Sequence, residues 1–242
     1  MSFSMFCSLP LPSNFWNESS LNLVLPFFPL VGGFIGALWW GVLKLLFLSG
    51  LHIMPAAAIL TLVPFAATGF LHLDGYMDTS DAVLSRRPPE EKLKILKDPH
   101  TGSFAVIMLA VLFLLQFSVL FVIVEKGKAG GCLIIIPVIS RCCSSISIYF
   151  LKTMEQSGLA KMFKQNTGTR HKIFVIFIFV FTAALSYIFA GIPGFLICAS
   201  VTAGFIAAMF YVYRDLNGVS GDLCGFSLVI GELCGLIALA LI

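Results

Sequence analysis

The chain has 242 residues, 59% of them hydrophobic and only 11% charged, with a mean hydropathy of +1.00. A soluble domain carries about 25% charged residues, so the composition predicts an all-α, polytopic helical membrane protein. The net charge of +3 gives no argument for a nucleic-acid partner, and the basic residues read better as topology signals.

The first twenty residues lack a basic n-region and carry Pro10 and Pro12, so no cleavable signal peptide is expected. About seven segments then reach the ~20 residues needed to cross a bilayer, near 22–48, 53–73, 104–124, 131–151, 173–190, 194–213 and 223–242. Pro26 and Pro29 in the first predict a start that is broken or interfacial. The fifth and sixth are parted only by Gly191, Ile192 and Pro193. With no internal repeat and no linker, residues 1–242 read as one membrane domain.

Directly after the second apolar run comes LHLDGYMDTSDA, Leu71 to Ala82. On a helix, at about 100° per residue, Asp78 lies about 40° to one side of Asp74 and Asp81 about 20° to the other. The three carboxylates therefore share one face within roughly 11 Å along the axis. Like charges this close raise one another's pKa unless a cation sits between them. A hard, oxygen-seeking ion such as Mg²⁺ suits them, and it usually completes its shell with substrate phosphates. The plain alternative is a solvated helix start with Asp74 as N-cap, but a cap needs one acid rather than three in register. His72 would point away from the carboxylates on a continuous helix and can serve as a base only if the helix begins after it.

The loop 74–103 continues as PPEEKLKILKDP, a short helix with Pro88 and Pro89 in its first turn, a Glu90–Lys94 pair and Pro99 as its stop. Its lysines read as a solvated face. KDPHTGSF follows, in which Lys97 can meet a phosphate, Asp98 a metal or sugar hydroxyl, and His100 a proton, before a flexible Gly102. Arg141 and Glu232 stand mid-membrane in the fourth and last spans, where each needs a partner, a cavity or a function. A structural ion pair between them weighs equally with a role at the site. In NGVSGDLCG, at the entrance to the last span, Asp222 is either a ligand or an ordinary N-cap. The glycines around it leave room for a close helix or a phosphate. The seven cysteines form no CxxC pair and read as small buried hydrophobes. His52 and His171 read as boundary residues.

Loops 74–103 and 152–172 hold Arg86, Arg87, Lys92, Lys94, Lys97, Lys152, Lys161, Lys164, Arg170 and Lys172. With seven spans they share one side with the N-terminus and the 214–222 loop containing Arg214, while Lys126 and Lys128 lie opposite. The positive-inside rule makes the richer side, with the aspartates, cytoplasmic.

These residues, in this order, resemble the cobalamin synthase family, the adenosylcobinamide-GDP ribazoletransferases. Leu71 to Ala82 are similar to that family's HLDGxxDTxDA run. Lys97, Asp98, Gly102 and Phe104 match a KD-x-x-x-G-x-F element, and SLPLP after Cys7 resembles an R-x-P-x-P element with Ser8 in the basic position. Ser157 to Phe163 resemble a GLG-x-x-F element with Ala160 for glycine, and Ala105 stands where glycine is common. GVSGDLCG with Glu232 is similar to a closing GG-x-TGD-x-xG run and its glutamate.

The resemblance implies a multi-pass enzyme of the prokaryotic cell membrane, with its N-terminus and active site cytoplasmic and membrane lipids around it. It would join adenosylcobinamide-GDP to α-ribazole or its 5′-phosphate and expel GMP. It further implies that Asp74, Asp78, Asp81 and Asp222 hold one or two Mg²⁺ and that Lys97, Arg86 and Arg141 contact phosphates. Asp98, Gly102, Asn217, Gly221 and Glu232 would complete the substrate site, and Asp78, Asp81 or His72 would take the proton. Oligomeric state is left open, a homo-oligomer included. Two rivals are a CDP-alcohol-type phosphotransferase, whose DG-x-x-AR opening is absent here, and a transporter, which would gather its groups at the midplane.

Overall fold

The computed structural model describes residues 1–8, 18–127, 130–155, 157–165 and 167–242, with the side chains of 18–20 excepted. Leu9 to Pro12 of the SLPLP run and Lys128 lie outside the described residues. After α1 (Ser2–Phe6) and a 3-10 turn (Glu18–Leu23), the chain runs through α2 (Val24–Leu48), α3 (Ile53–Ala67), α4 (Leu71–Leu84) and α5 (Pro89–Ile95). α6 (Ser103–Glu125), α7 (Cys132–Phe150), α8 (Gly158–Gln165), α9 (Thr169–Leu216) and α10 (Gly221–Leu241) follow. The described residues contain no strand. A single parallel bridge joins Thr153 to Val219.

Five helices are long and apolar enough to cross a membrane, and α3 with α4 forms a sixth candidate bent by 92°. α9 is two crossings. Its 48 residues would reach about 72 Å at 1.5 Å per residue, far beyond a hydrocarbon core of about 30 Å. The chain leaves helical geometry at Gly191 (φ 63°, ψ −145°). Ser186 Oγ then lies only 3.1 Å from Cys198 Sγ, twelve residues that would span about 18 Å on a straight helix. Residues 169–190 and 192–216 are thus antiparallel arms of a hairpin, which brings the candidate crossings among the described residues, the bent pair apart, to six; the expected span over 53–73 is cut short at Ala67, leaving α3 with 15 residues.

At membrane depth a proline removes a donor and frees the carbonyl four residues earlier, which a neighbour must satisfy. Pro29 frees the Leu25 carbonyl, and Ser145 Oγ of α7 donates to it at 3.0 Å. Pro64 frees the Leu60 carbonyl, and Trp39 Nε1 of α2 donates to it at 2.9 Å. The same prolines that look like breakers in sequence therefore register α2 on α7 and α3 on α2. The start of the first span is the expected irregular one, a 3-10 turn.

Arg141 and Glu232 find each other. Arg141 Nη1 donates to Glu232 Oε1 at 2.7 Å and to the Pro137 carbonyl at 3.1 Å, and Ser140 Oγ donates to the same Glu232 oxygen at 2.9 Å. Both side chains are buried, and Arg141 also lies over the Phe28 ring. Of the two readings that sequence left open, the structure supplies the ion pair.

Both large loops come together at one end of the bundle. Lys92 meets Asp215 at 2.5 Å, Met154 N donates to the Val219 carbonyl at 3.0 Å, and Val219 N to the Lys152 carbonyl at 2.9 Å. At the other end Lys126 Nζ donates to the Ala240 carbonyl at 2.8 Å. The cysteines are all free, and five of them are buried. His52 and His171 sit at helix starts, where each accepts a backbone N–H, from Met54 and Gly168 respectively.

Glu232→Gln leaves Arg141 charged and unpaired in the bundle, which costs roughly 3–5 kcal/mol for a broken buried pair. Thermal unfolding in detergent is expected to show that loss, and the double variant Arg141→Met, Glu232→Leu to recover most of it. An equal loss in the double variant would sink the pairing.

Candidate active site

α4 lies across the end of the bundle rather than through it. Gly69 and Phe70 both take left-handed backbone (φ 59° and 64°), and that double turn directs α4 away from α3. α4 then meets α10 and α6 only near their starts. Tyr76 stacks on Phe226 with centroids 5.4 Å apart and donates to the Met108 carbonyl at 3.2 Å. α4 is therefore outside the spanning segments, with Asp74 exposed and Asp78 and Asp81 half-buried on its carboxylate face.

The approach of α4 to α10 depends on two glycines. A Cβ at Gly75 would lie 2.9 Å from Asp222 Cα, and one at Gly225 would lie 3.2 Å from the His72 carbonyl oxygen. That contact brings Asp222, from the far end of the sequence, beside the aspartates of α4. Gly102 does the same for α6, since a Cβ there would lie 2.0 Å from Asp81 Oδ2. Gly102 has an ordinary extended backbone (φ −81°, ψ 169°). Its absent side chain makes room for a carboxylate; it is not needed as a hinge.

Neither plain capping alternative survives. The N-cap of α4 is Phe70, which leaves Asp74 in the first turn and exposed. The N-cap of α10 is Ser220, whose Oγ accepts from Leu223 N at 3.3 Å, and the Asp222 carboxyl meets its own backbone N–H and, at 3.4 Å, the Ser220 hydroxyl. Among the described residues, no basic side chain pairs with Asp74, Asp78, Asp81 or Asp222. Asp78 feels the crowding most. Burial first, and then the charges of Asp74, Asp222 and Asp81, push its carboxyl from 3.8 up to about 6.

Four uncompensated carboxylates with only oxygen donors suit a hard divalent ion, and their raised field at Asp78 is what such an ion would relieve. As their side chains stand, no three His, Cys, Asp or Glu groups among the described residues close on a common point. The donors are of the type that suits Mg²⁺, but they stand apart rather than in a closed ligand set.

The other candidates are spread over the molecule. Lys97 shares a cleft with Ser157, Ser220 and Asp222, close to the carboxylates. Asp98 is exposed and turned back on its own loop. It accepts from His100 N at 2.9 Å and meets His100 Nδ1 at 2.7 Å, contacts that hold its carboxyl below the usual range. Arg86 (φ 55°) borders a separate cleft with Arg214 and Tyr211. Asn217 is exposed as the left-handed C-cap of α9 (φ 53°, ψ 43°), and Gly221 is exposed with open space around it. Arg141 and Glu232 are committed to each other.

Three expectations are corrected. α4 begins at Leu71, so His72 is inside the helix, about 160° round from Asp74 at 100° per residue. It is buried between Phe6 and Phe28, away from the carboxylate face, and the condition for its serving as base is not met. In the loop helix the ion pair is Arg87–Glu91 at 2.8 Å, not Glu90–Lys94. Lys92 is no solvated residue either, because its ammonium turns inward to Asp215. The close helix expected at the glycines around Asp222 is found at Gly225, whereas the cap at Ser220 and the contact at Gly75 were not expected, although a glycine directly beside Asp74 in a helical run was a visible signal.

Residues 1–240 match the family model described as Cobalamin-5-phosphate synthase. A protein of Clostridium perfringens named adenosylcobinamide-GDP ribazoletransferase is 38% identical over 244 residues, covering 100% of this chain and 96% of its own. Proteins of the same name from Lachnoclostridium phytofermentans and Stutzerimonas stutzeri are 34% and 33% identical, covering 96% and 88% of this chain and 89% and 85% of their own. No solved structure matches the chain.

Since Asp78 titrates higher folded than unfolded, its ionisation costs stability as pH rises from 3.8 through about 6, and the cost is complete above that. In EDTA, Asp78→Asn is expected to raise the melting temperature at about pH 7.5, with the gain gone by about pH 4. Added Mg²⁺ is expected to stabilise the parent protein more than the variant. A Mg²⁺ response equal in both would place the ion elsewhere.

Proposed function

The chain belongs to the cobalamin-5-phosphate synthase family, and we propose that it transfers the cobinamide-bearing phosphate of adenosylcobinamide-GDP to α-ribazole or its 5′-phosphate, releasing GMP. The observation that carries this reading is the set of four unpaired carboxylates gathered from α4 and α10 by the Gly75 and Gly225 contact. It is a transferase, as the names of its relatives state.

In the reaction, a hydroxyl oxygen of the acceptor bonds to the phosphorus that carries the cobinamide. The bond from that phosphorus to the bridging oxygen breaks, and GMP leaves with the electron pair. The protein's part in such a transfer is to position the reactants and neutralise developing charge. Asp74, Asp78, Asp81 and Asp222 would hold Mg²⁺, which supplies Lewis-acid neutralisation of the diphosphate oxygens. Lys97, in the cleft beside Asp222, is placed to contact a phosphate. Asp78, whose carboxyl titrates near 6, is matched to accept a proton near neutral pH when not ligating. Asp81 is held against Gly102 and is the alternative acceptor.

The membrane position follows from the same end of the bundle. That end carries the two basic loops, and the positive-inside rule makes it cytoplasmic. The exposed apolar side chains of the α9 hairpin, Phe177, Phe181 and Phe189 among them, face lipid.

The test is GMP release by purified protein in detergent, given both substrates, with Mg²⁺ and with EDTA. Release that needs Mg²⁺ and the acceptor, and collapses in Asp78→Asn, supports the reading. No release from folded protein would end it and direct attention to CDP-alcohol substrates. Gly102→Ala must displace the Asp81 carboxylate, and a misplacement of about 1 Å costs about 100-fold in rate. A Gly102→Ala protein with full activity would remove Asp81 from the site.

A further inference from the structure

On the face of α4 opposite the carboxylates, a cavity of about 270 Å³ opens between α1, α2, α4, α7, α8 and α10. Its lining is apolar and aromatic, with Phe6, Phe28, Ala160 and Phe163 among the walls, and its one carboxylate is Asp222. His72 stacks at 6.1 Å on Phe6 and meets Phe28 edge-on at 5.7 Å. Its Nε2 is buried and has no hydrogen-bond partner. Protein atoms cover that nitrogen, so His72 contributes to the cavity an aromatic wall rather than a polar contact.

Size and polarity narrow the occupant. Pockets for drug-sized ligands run roughly 300–1,000 Å³, so this cavity suits one fused ring system and is too small for a nucleotide or a corrinoid macrocycle. Flat aromatic walls favour a planar π-system, through stacked and edge-on contacts. The polar end at Asp222 continues into the carboxylate cluster. A ligand with an aromatic ring at one end and a hydroxyl to be activated at the other would reach from the cavity to the site of transfer.

We infer that this cavity holds the planar aromatic base of the acceptor nucleoside, with α8 as its size-selective wall. The inference rests on the transferase reading above. α8 is built for that position. Ala160 and Phe163 are buried against the cavity, while Lys161 Nζ and Lys164 Nζ bond outward, to the Glu155 and Leu151 carbonyls at 2.7 and 2.5 Å. The helix is thereby pinned by its polar face with its apolar face turned in, and this accounts for the SGLAKMF run.

The experiment is steady-state GMP release in Mg²⁺ with the KM of each substrate measured separately, in the parent protein, Ala160→Leu and Phe163→Ala. Ala160→Leu shrinks the cavity and is expected to raise the KM for α-ribazole about tenfold or more. Its KM for adenosylcobinamide-GDP and its kcat should stay within about twofold, because a change of this kind removes uniform binding of one substrate. A riboside of unsubstituted benzimidazole should lose less than α-ribazole does. Phe163→Ala enlarges the cavity and should improve the relative use of a bulkier base, so the inference stays testable if Ala160→Leu does not fold. Active variants with unchanged acceptor KM and base preference, or with both substrates' KM shifted equally, would overturn it, the first pattern being that of a cavity filled by a lipid chain. A parent protein that releases no GMP would remove the transferase reading and this inference with it.

Discussion

The site depends on one close helix crossing. α4 and α10 come near enough at Gly75 and Gly225 that no side chain fits between Gly75 and the backbone of Asp222. Everything charged at this end of the bundle is arranged around that contact. The three aspartates of α4 share a face by helical period alone, but a carboxylate from the last span joins them only because α4 turns at Gly69 and Phe70 and lies over the start of α10. Packing must supply the free energy that brings together four like charges, and the Tyr76–Phe226 stack at 5.4 Å lies one residue on from each glycine. The apolar side of the crossing holds the acidic side in place.

The crossing is only as firm as α10, and α10 is held at membrane depth by polar contacts that lipid cannot replace. Glu232 ties it to Arg141 and Ser140 on α7. α7 in turn reaches α2 through Ser145 and the carbonyl that Pro29 leaves free. In hydrocarbon such bonds have no competing water, so they fix register as well as adding stability. Lys92 and Asp215 do the corresponding work at the surface, joining the loop helix to the end of the α9 hairpin. A mid-membrane ion pair that resembles transporter chemistry in sequence is, in this fold, part of the frame beneath a surface site.

How much of this was legible in sequence follows from the range of each interaction. The shared face of Asp74, Asp78 and Asp81 is a property of local periodicity and was readable, as was the fold class from hydropathy. Pro88 and Pro89 marked the start of α5 correctly. Direction in space was not readable. Nothing near Lys92 in the chain distinguishes a solvated lysine from one turned toward Asp215, which is 123 residues away. The role of His72 hinged on a single residue of helix start, which is set by the left-handed Phe70. Gly102 was read as flexible because glycine has that use, whereas the structure needs its missing Cβ. The capping alternative for Asp222 stayed open because Ser220, two residues earlier, was not weighed against it.

The two faces of α4 divide the work by polarity. A diphosphate and its counter-ion belong at a wet, anionic rim, where carboxylates stay ionised and charged groups keep part of their hydration. A flat aromatic group belongs in a dry cleft, where burial is favourable and costs no desolvated charge. A single amphipathic helix across the bundle end provides both within one diameter of about 10–12 Å. Asp222 is the one carboxylate that borders both regions, because the glycine contact sets α10 against the seam between them. A nucleophile carried on the aromatic ligand then has a short path from the cleft to the rim. The same seam explains the glycines near the acids in DGYMD and GDLCG: the spacing between the two environments is set by what is absent at Gly75 and Gly225.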